Sequence, residues 1–191
     1  RRSSDLTAAF ECSFGTFIRL EFDKVYDGML STPVTADDLM IGELFWAGTK
    51  GFFFSFAVLV VFIVFQVIDI VAHPFTVFSV FVGFFNGLMF GVLSLLVTSF
   101  VRTINHFNFY FTGVLSPMFF FSGVVFPVSE LPAVIRPVAE AFPLTHTIRI
   151  VRALVKAEFS PWLGLDIFYI AAFISIIGFF AVKSIKRRLV D

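Results

Sequence analysis

The chain has 191 residues and no net charge, and 58% of its residues are apolar while only 15% are charged. Soluble domains usually carry about 25% charged residues, so this composition, with a mean hydropathy of +0.94, excludes an ordinary soluble protein. The zero net charge gives no indication of nucleic-acid binding, and the single Cys12 excludes an intramolecular disulfide.

Residues 1–20 are interpreted as the end of a membrane span. The apolar stretch Leu6–Leu20 is short for a complete crossing and contains Arg19 near its end. Arg1 and Arg2 are not followed by the apolar segment of a secretory signal, and the chain does not begin with Met. We therefore expect an N-terminal truncation that removed the beginning of this span.

Residues 21–50 form a polar, amphipathic segment that we expect in the cytoplasm. Within it, Thr35 can cap the free amides at the start of a helix, and Asp37 and Asp38 suit the positive end of the helix dipole. The helix, 35–48, has its apolar residues on one face and is too charged to cross a membrane. The sequence therefore predicts a short surface helix that is separate from the following span.

Four later stretches are long and apolar enough to cross a membrane, which takes roughly 20 residues. The predicted spans A, B, C and D are about 51–71, 75–101, 107–127 and 162–182. Lipid cannot satisfy open backbone groups, and these runs do not alternate as barrel strands do, so they are predicted to be helices. The predicted fold is all-α: one polytopic transmembrane domain over residues 1–191.

The segment between spans C and D, residues 127–161, contains five prolines. The pieces between them, Leu131–Phe142 and Leu144–Phe159, are predicted to be two short helices. Each is too short or too charged to cross, so each lies at the interface or dips into the membrane and returns, where protein covers its broken backbone.

The distribution of Lys and Arg predicts the orientation. Lys183 and three further basic residues follow span D, so the C-terminus is expected in the cytoplasm, and residues 127–161 are then outside. That outer segment has more cations than the rule favours, which leaves the reversed topology open. Its basic residues are Arg136, Arg149, Arg152 and Lys156.

Span B carries Gly83, Gly87 and Gly91 at four-residue spacing, so all three lie on one helix face and allow another backbone to approach closely. One interpretation is a contact with a second subunit or with the translocation path. The other is packing against a helix of the same subunit.

The sequence contains no motif of an enzyme. A phosphate-binding loop, a zinc-protease helix and a serine nucleophile elbow are all missing from it. His73, His106 and His146 are far apart and are interpreted as interfacial histidines and not as metal ligands. We therefore predict no catalytic residue, no metal site and no cofactor in this chain, and no cluster of His, Asp, Glu or Ser at one membrane depth.

Two stretches resemble the ABC type-2 permeases, in particular the branch of nodulation-factor and daunorubicin exporters. The first is Tyr26-Asp27-Gly28-Met29-Leu30-Ser31-Thr32-Pro33-Val34, and it continues to Ala47. The second lies between spans C and D and contains the signature residues Ser122, Gly123, Phe126, Pro127, Leu131, Pro132, Pro143, Leu144, Thr145 and His146.

The resemblance implies a permease in the bacterial inner membrane that forms a homodimer and works with separate ATP-binding subunits, which bind ATP and Mg. The helix 35–48 would be the coupling helix that contacts the ATPase, and the short helices after Pro127 would be an outer re-entrant pair. The residues expected at the ATPase contact are Asp37, Asp38, Glu43, Leu44 and Phe45.

The expected activity is ATP-driven export of an amphipathic substrate: a lipooligosaccharide, a polysaccharide or a hydrophobic drug. The other partners are membrane lipid and, by the charge argument above, no nucleic acid. Two alternatives from other classes are an ion-coupled secondary transporter and a membrane-embedded lipid-modifying enzyme. The first needs carboxylates inside the membrane or paired broken spans, and the second needs clustered polar residues.

Overall fold

The structure, a computed structural model, describes residues 35–65, 74–101, 109–124 and 127–190. Within these ranges the secondary structure is helical and contains no strand, so the predicted all-α fold is confirmed. The main helices are α1 (Ala36–Phe65), α2 (Ser79–Phe100, preceded by a 3-10 turn at Pro74–Phe78), α3 (Phe111–Phe121), α4 (Arg136–Ala141), α5 (Pro143–Lys156) and α6 (Leu163–Val190).

Three of the described helices are long and apolar enough to cross a membrane, and they pack in the order α1, α2, α6. The candidate spans are Asp37–Val64, Pro74–Phe100 and Leu163–Ile185. The second and third of these candidates overlap predicted spans B and D. The middle helix, α2, is the most enclosed, whereas most of α1 and α6 is left exposed to the surroundings, as lipid-facing helices are.

Helix α1 corrects one prediction, because the expected surface helix and span A form a single continuous helix. Its first turns are held in the bundle: Leu39 and Met40 are buried in a cluster with Leu95 of α2 and Ile185 of α6. Because one side of these turns is buried, the charged residues that predicted a separate surface segment belong to the same helix as span A. Residues 66–71 of predicted span A lie outside the described part of the chain.

Helix α3 is shorter than predicted span C. It ends at Phe121, and Gly123 in the following turn has a φ of 93°, a left-handed conformation that favours glycine and stops a helix. Residues Phe111–Leu115 form a π-helical turn just before Pro117. Proline has no backbone N–H and therefore cannot donate the hydrogen bond of a regular helical turn. The described helix, Phe111–Phe121, spans about 16 Å at 1.5 Å per residue.

The two short helices form as predicted but with different bounds, because prolines begin them instead of separating them. Pro137 and Pro143 occupy the first turns of α4 and α5, where the missing amide hydrogen costs nothing. Thr147 near the start of α5 contacts Met89 in the middle of α2 through a 4.0 Å hydrogen bond to sulfur.

The far end of α5 lies near the beginning of α2. Phe159, just beyond α5, packs edge-on against Phe75 with 5.3 Å between ring centroids, while Leu144 in the first turn lies in the core with Met89 and Leu115. Helix α5 therefore starts deep among the spanning helices and runs back along α2 towards the end of the bundle, as a re-entrant helix does.

Candidate functional site

The predicted start of the coupling segment is built as a reciprocal helix cap. The backbone amide of Asp38 donates to Thr35 Oγ1 at 3.3 Å, and the amide and hydroxyl of Thr35 donate to Asp38 Oδ2 at 3.1 and 2.5 Å. Such a cap satisfies amides that the first turn leaves open, and it places a carboxylate at the positive end of the dipole. The predicted capping role of Thr35 is confirmed.

The five residues expected at an ATPase contact occupy the first turns of α1, and they differ in exposure. Asp38 and Phe45 are exposed, Phe45 to 59%, whereas Asp37, Glu43 and Leu44 are half-buried. Phe45 is followed by Trp46, which is 50% exposed, so an open aromatic surface lies beside the acidic helix start. The opposite side of these turns, which contains Met40, is buried in the bundle.

The three glycines of α2 face α1 and allow the two backbones to touch. A Cβ atom on Gly87 would overlap the carbonyl oxygen of Ala47 and lie 3.1 Å from the Cα of Gly48. A Cβ on Gly91 would lie 2.9 Å from the Cβ of Ala47, and one on Gly83 would overlap the side chain of Ser55. In this geometry the glycine face packs within the subunit, as a close helix–helix seam.

A charged network joins α5 to the first turn of α6. Arg149 donates to both carboxylate oxygens of Glu140, at 2.5 and 2.7 Å, and to Asp166 Oδ1 at 3.0 Å. Hydrogen bonding to Glu140 raises the pKa of Arg149 above its ordinary value. Partial burial lowers this pKa, but the negative charges of Asp166 and Glu140 raise it further. The guanidinium is therefore a permanent cation of this network.

His146 belongs to the same network. Its Nδ1 lies 2.6 Å from Asp166 Oδ1, and its Nε2 lies 2.9 Å from the carbonyl oxygen of Glu140. A carbonyl only accepts, so Nε2 carries a hydrogen and donates it to the carbonyl of Glu140, while Asp166 Oδ1 is shared by His146 Nδ1 and Arg149 Nη1. His146 therefore bridges the backbone of Glu140 and the side chain of Asp166.

The structure brings together His146, Asp166 and Arg149, which the sequence analysis did not connect. His146 and Asp166 are twenty residues apart, and no sequence motif connects them. Both ring nitrogens of His146 are engaged, and Asp166 is 2% exposed, with its Oδ2 buried and without a hydrogen-bond partner in the described part of the chain. Through these hydrogen bonds the network anchors the re-entrant helix α5 to the spanning helix α6.

Beside this network lies a cleft of 400 Å³, which we call the arginine cleft. It opens between the turn after α3 and the exposed side of α5, and Arg152 Nη2 donates to the carbonyl oxygen of Gly123 across it at 2.5 Å. Its charged lining residues are Arg136, Glu140, Arg149 and Arg152.

Four of the ten signature residues line this cleft. Ser122, Gly123, Pro127 and Thr145 line it, and Thr145 donates to the carbonyl oxygen of Ala139, which ties the first turn of α5 to α4. The other described signature residues are Leu131, Pro143, Leu144 and His146, which are buried, and Pro132, which is exposed. Phe126 lies outside the described residues.

Sequence reasoning did not identify Glu140, Arg149, Arg152 and Asp166 as site residues. One signal was present, since the predicted outer segment had more cations than the orientation rule favours. Three of its four basic residues line the cleft. Most of the basic residues of this segment are therefore concentrated around one cleft.

Comparison with known proteins identifies relatives along nearly the whole chain. The profile of the family described as ABC-2 type transporter matches residues 6–155. Nodulation protein J of Rhizobium meliloti (strain 1021) is 31% identical over 188 residues, which cover 98% of this chain and 71% of the relative. Nodulation protein J of Sinorhizobium fredii (strain NBRC 101917 / NGR234) is 30% identical over 189 residues, with 99% and 71% covered. No solved structure matches the chain.

Proposed function

Because the chain belongs to the ABC-2 type transporter family, as the membrane-spanning permease subunit of an ABC exporter, we propose that the start of α1 receives the motion of a separate ATP-binding subunit. ATP and Mg bind in that partner, which performs the hydrolysis. The permease chain converts the motion of the partner into movement of its spanning helices.

The continuity of α1 carries this proposal. The helix runs unbroken from its capped acidic start, through the glycine seam, to Phe65. A helix of 30 residues is about 45 Å long and exceeds a hydrocarbon core of about 30 Å, so one rigid element links a membrane surface with the interior of the bundle. A displacement of Asp38 and Phe45 by the partner is therefore transmitted along α1 to the close contact between α1 and α2.

The contact surface has the composition of a docking site. Phe45 and Trp46 provide exposed aromatic surface, and the charge of Asp38 can orient the ATP-binding subunit on it. Aromatic anchors with a charged rim are typical of protein interfaces. The proposed partner surface is a groove in the ATPase with apolar walls and basic residues near the acidic helix start.

Two copies of the permease in a bacterial inner membrane enclose the proposed path. ATP binding closes the partner dimer, moves both α1 helices and opens the path to the outer side. The proposed substrate is an amphipathic molecule, in first place a lipooligosaccharide, because the relatives are named nodulation proteins, and otherwise a polysaccharide or a hydrophobic drug.

The alternatives from other classes have less support. A lipid-modifying enzyme needs a free acid–base group, and His146 is fully hydrogen-bonded. An ion-coupled transporter needs a carboxylate that can bind and release its ion, whereas Asp166 Oδ1 is hydrogen-bonded to both His146 and Arg149.

The test is a pull-down of the ATP-binding subunit with the full chain in detergent. The double variant Phe45→Ala/Trp46→Ala should insert normally and retain less of the ATPase by roughly tenfold or more, since truncating an aromatic anchor costs about 2 kcal/mol. Phe179→Ala/Phe180→Ala, an exposed aromatic pair on α6, is the matched control. Equal ATPase recovery from both variants would remove this surface from the interface.

A further inference from the structure

The arginine cleft contains a cation, Arg152, that does not belong to the anchoring network. The cleft is lined by three arginines and one carboxylate, Glu140, which is already held by Arg149 through two hydrogen bonds. Arg136 has interactions of its own, including a hydrogen bond from its Nε to the carbonyl oxygen of Leu131. Arg152 is exposed, so its charge is accessible to an anionic ligand.

Arg152 is the cation best placed for such a ligand. Its described hydrogen bond goes to a neutral acceptor, the carbonyl of Gly123, and no carboxylate in the described parts of the chain pairs with it. A guanidinium has five N–H donors in a planar fork, so one backbone bond fixes its position and leaves donors for an oxyanion.

The dimensions of the cleft limit what it can hold. A volume of 400 Å³ lies near the lower end of the range for small-molecule sites, about 300–1,000 Å³. It accommodates a phosphate with a small attached alcohol or sugar, but not acyl chains. The neighbouring surface of the α4 region is apolar, with Val134 85% and Val138 53% exposed. A ligand with its anion in the cleft can therefore keep its hydrocarbon along this surface and in the bilayer.

We propose that the arginine cleft binds the phosphate-type oxyanion headgroup of an amphiphile, with Arg152 as the principal charged contact. The same chemistry is supplied by a resident anionic phospholipid or by an exported amphiphile that carries an oxyanion. Binding itself does not depend on the export function; only the second source rests on the proposed function above.

The binding test uses the full chain in a neutral maltoside detergent, with phosphatidic acid and diacylglycerol of identical acyl chains as probes. The two probes differ only in the phosphate. Native mass spectrometry should show saturable binding of about one phosphatidic acid per chain and no saturable binding of diacylglycerol. Equal binding of both probes would overturn the proposal, because the phosphate would then contribute nothing.

Variants locate the site. Arg152→Gln should weaken phosphatidic acid binding about tenfold, the effect of one charge-assisted contact, and Arg152→Lys should restore part of it. Lys156→Gln removes the same charge from an exposed position on α5 outside the cleft and should leave binding unchanged. Unchanged binding in Arg152→Gln, or an equal loss in Lys156→Gln, would contradict the assignment.

A second variant keeps the test decisive if Arg152→Gln does not fold. Val128 lines the cleft, so Val128→Glu places a carboxylate beside the ligand and should weaken binding, whereas Val128→Gln of similar size should not. Equal affinities of these two variants would overturn the proposal.

The two sources are separated by what remains on the purified protein. For a resident lipid, extraction of protein from its host membrane should yield about one anionic phospholipid per wild-type chain and less with Arg152→Gln. For an exported amphiphile, no phospholipid should be retained, while added phosphatidic acid still binds. Neither result depends on ATP or on the ATP-binding subunit, so failure of coupling leaves this test intact.

Discussion

Ala47 of α1 and Gly87 of α2 are in direct backbone contact: the carbonyl oxygen of Ala47 occupies the space that a Cβ atom on Gly87 would need. Gly51 makes the reciprocal contact, since its own Cβ would lie 3.0 Å from the Cα of Gly87. This seam has no room for a side chain, and it fixes the separation of the two helices.

Replacing Gly87 should therefore damage the seam. Gly87→Leu forces α1 and α2 apart, and overpacking of this kind costs about 1–3 kcal/mol of unfolding free energy. Thermal unfolding in detergent and the yield of inserted protein measure the effect. Gly42→Leu is the control, because nothing lies within 4 Å of a Cβ at that position. A Gly87→Leu protein as stable as the control would show that this face does not pack against α1.

Asp166 should be the most sensitive residue of the charged network. It is buried and shared by His146 and Arg149, so Asp166→Asn removes the carboxylate that faces Arg149 and should cost about 3 kcal/mol of unfolding free energy. Glu158→Gln, an exposed acid beyond α5, should cost little. Comparison of their thermal unfolding tests the anchor.

A double-variant cycle then tests the specific pair. If His146 and Asp166 stabilise each other, the combined variant His146→Gln/Asp166→Asn should lose less stability than the sum of the two single variants. Strict additivity would indicate that the two side chains do not interact in solution.

The orientation is tested by a reporter fused after Asp191. The basic residues that follow span D predict a cytoplasmic C-terminus, so a reporter that functions only in the cytoplasm should be active there. Activity of a periplasmic reporter at the same position would reverse the orientation and move the arginine cleft to the inner side.

Local patterns in the sequence predicted much of the fold because they report local physics. Apolar runs predicted α2 and α6, and four-residue glycine spacing predicted a close-packed face. The capping role of Thr35 also followed from the sequence alone. Each of these signals lies within one helix turn or one helix.

Other features depended on contacts between distant residues. The charges around Asp38 predicted a separate surface helix, but burial of Met40 against α2 and α6 keeps α1 continuous. The pair His146 and Asp166 joins two elements that no periodicity relates. Pro143 was interpreted as a break between helices, and the structure uses it as the first residue of α5.

The central claim, that the start of α1 couples the permease to its ATPase, requires a variant that changes charge without unfolding the helix. Asp38→Lys/Glu43→Lys reverses two charges, but it also removes the hydrogen bonds between Asp38 and Thr35. Thr35→Ala removes the same cap and keeps both carboxylates, so it is the matched control. Glu130→Lys/Glu158→Lys makes the same charge change at exposed positions near the other end of the bundle.

The decisive measurement is the ratio of ATP hydrolysed to substrate exported in inside-out membrane vesicles that contain the permease and its ATP-binding subunit. Asp38→Lys/Glu43→Lys should insert normally but bind the ATPase weakly and lose export at least tenfold, while both controls retain the wild-type ratio. Full ATPase binding and full export in that variant would contradict the coupling role of α1.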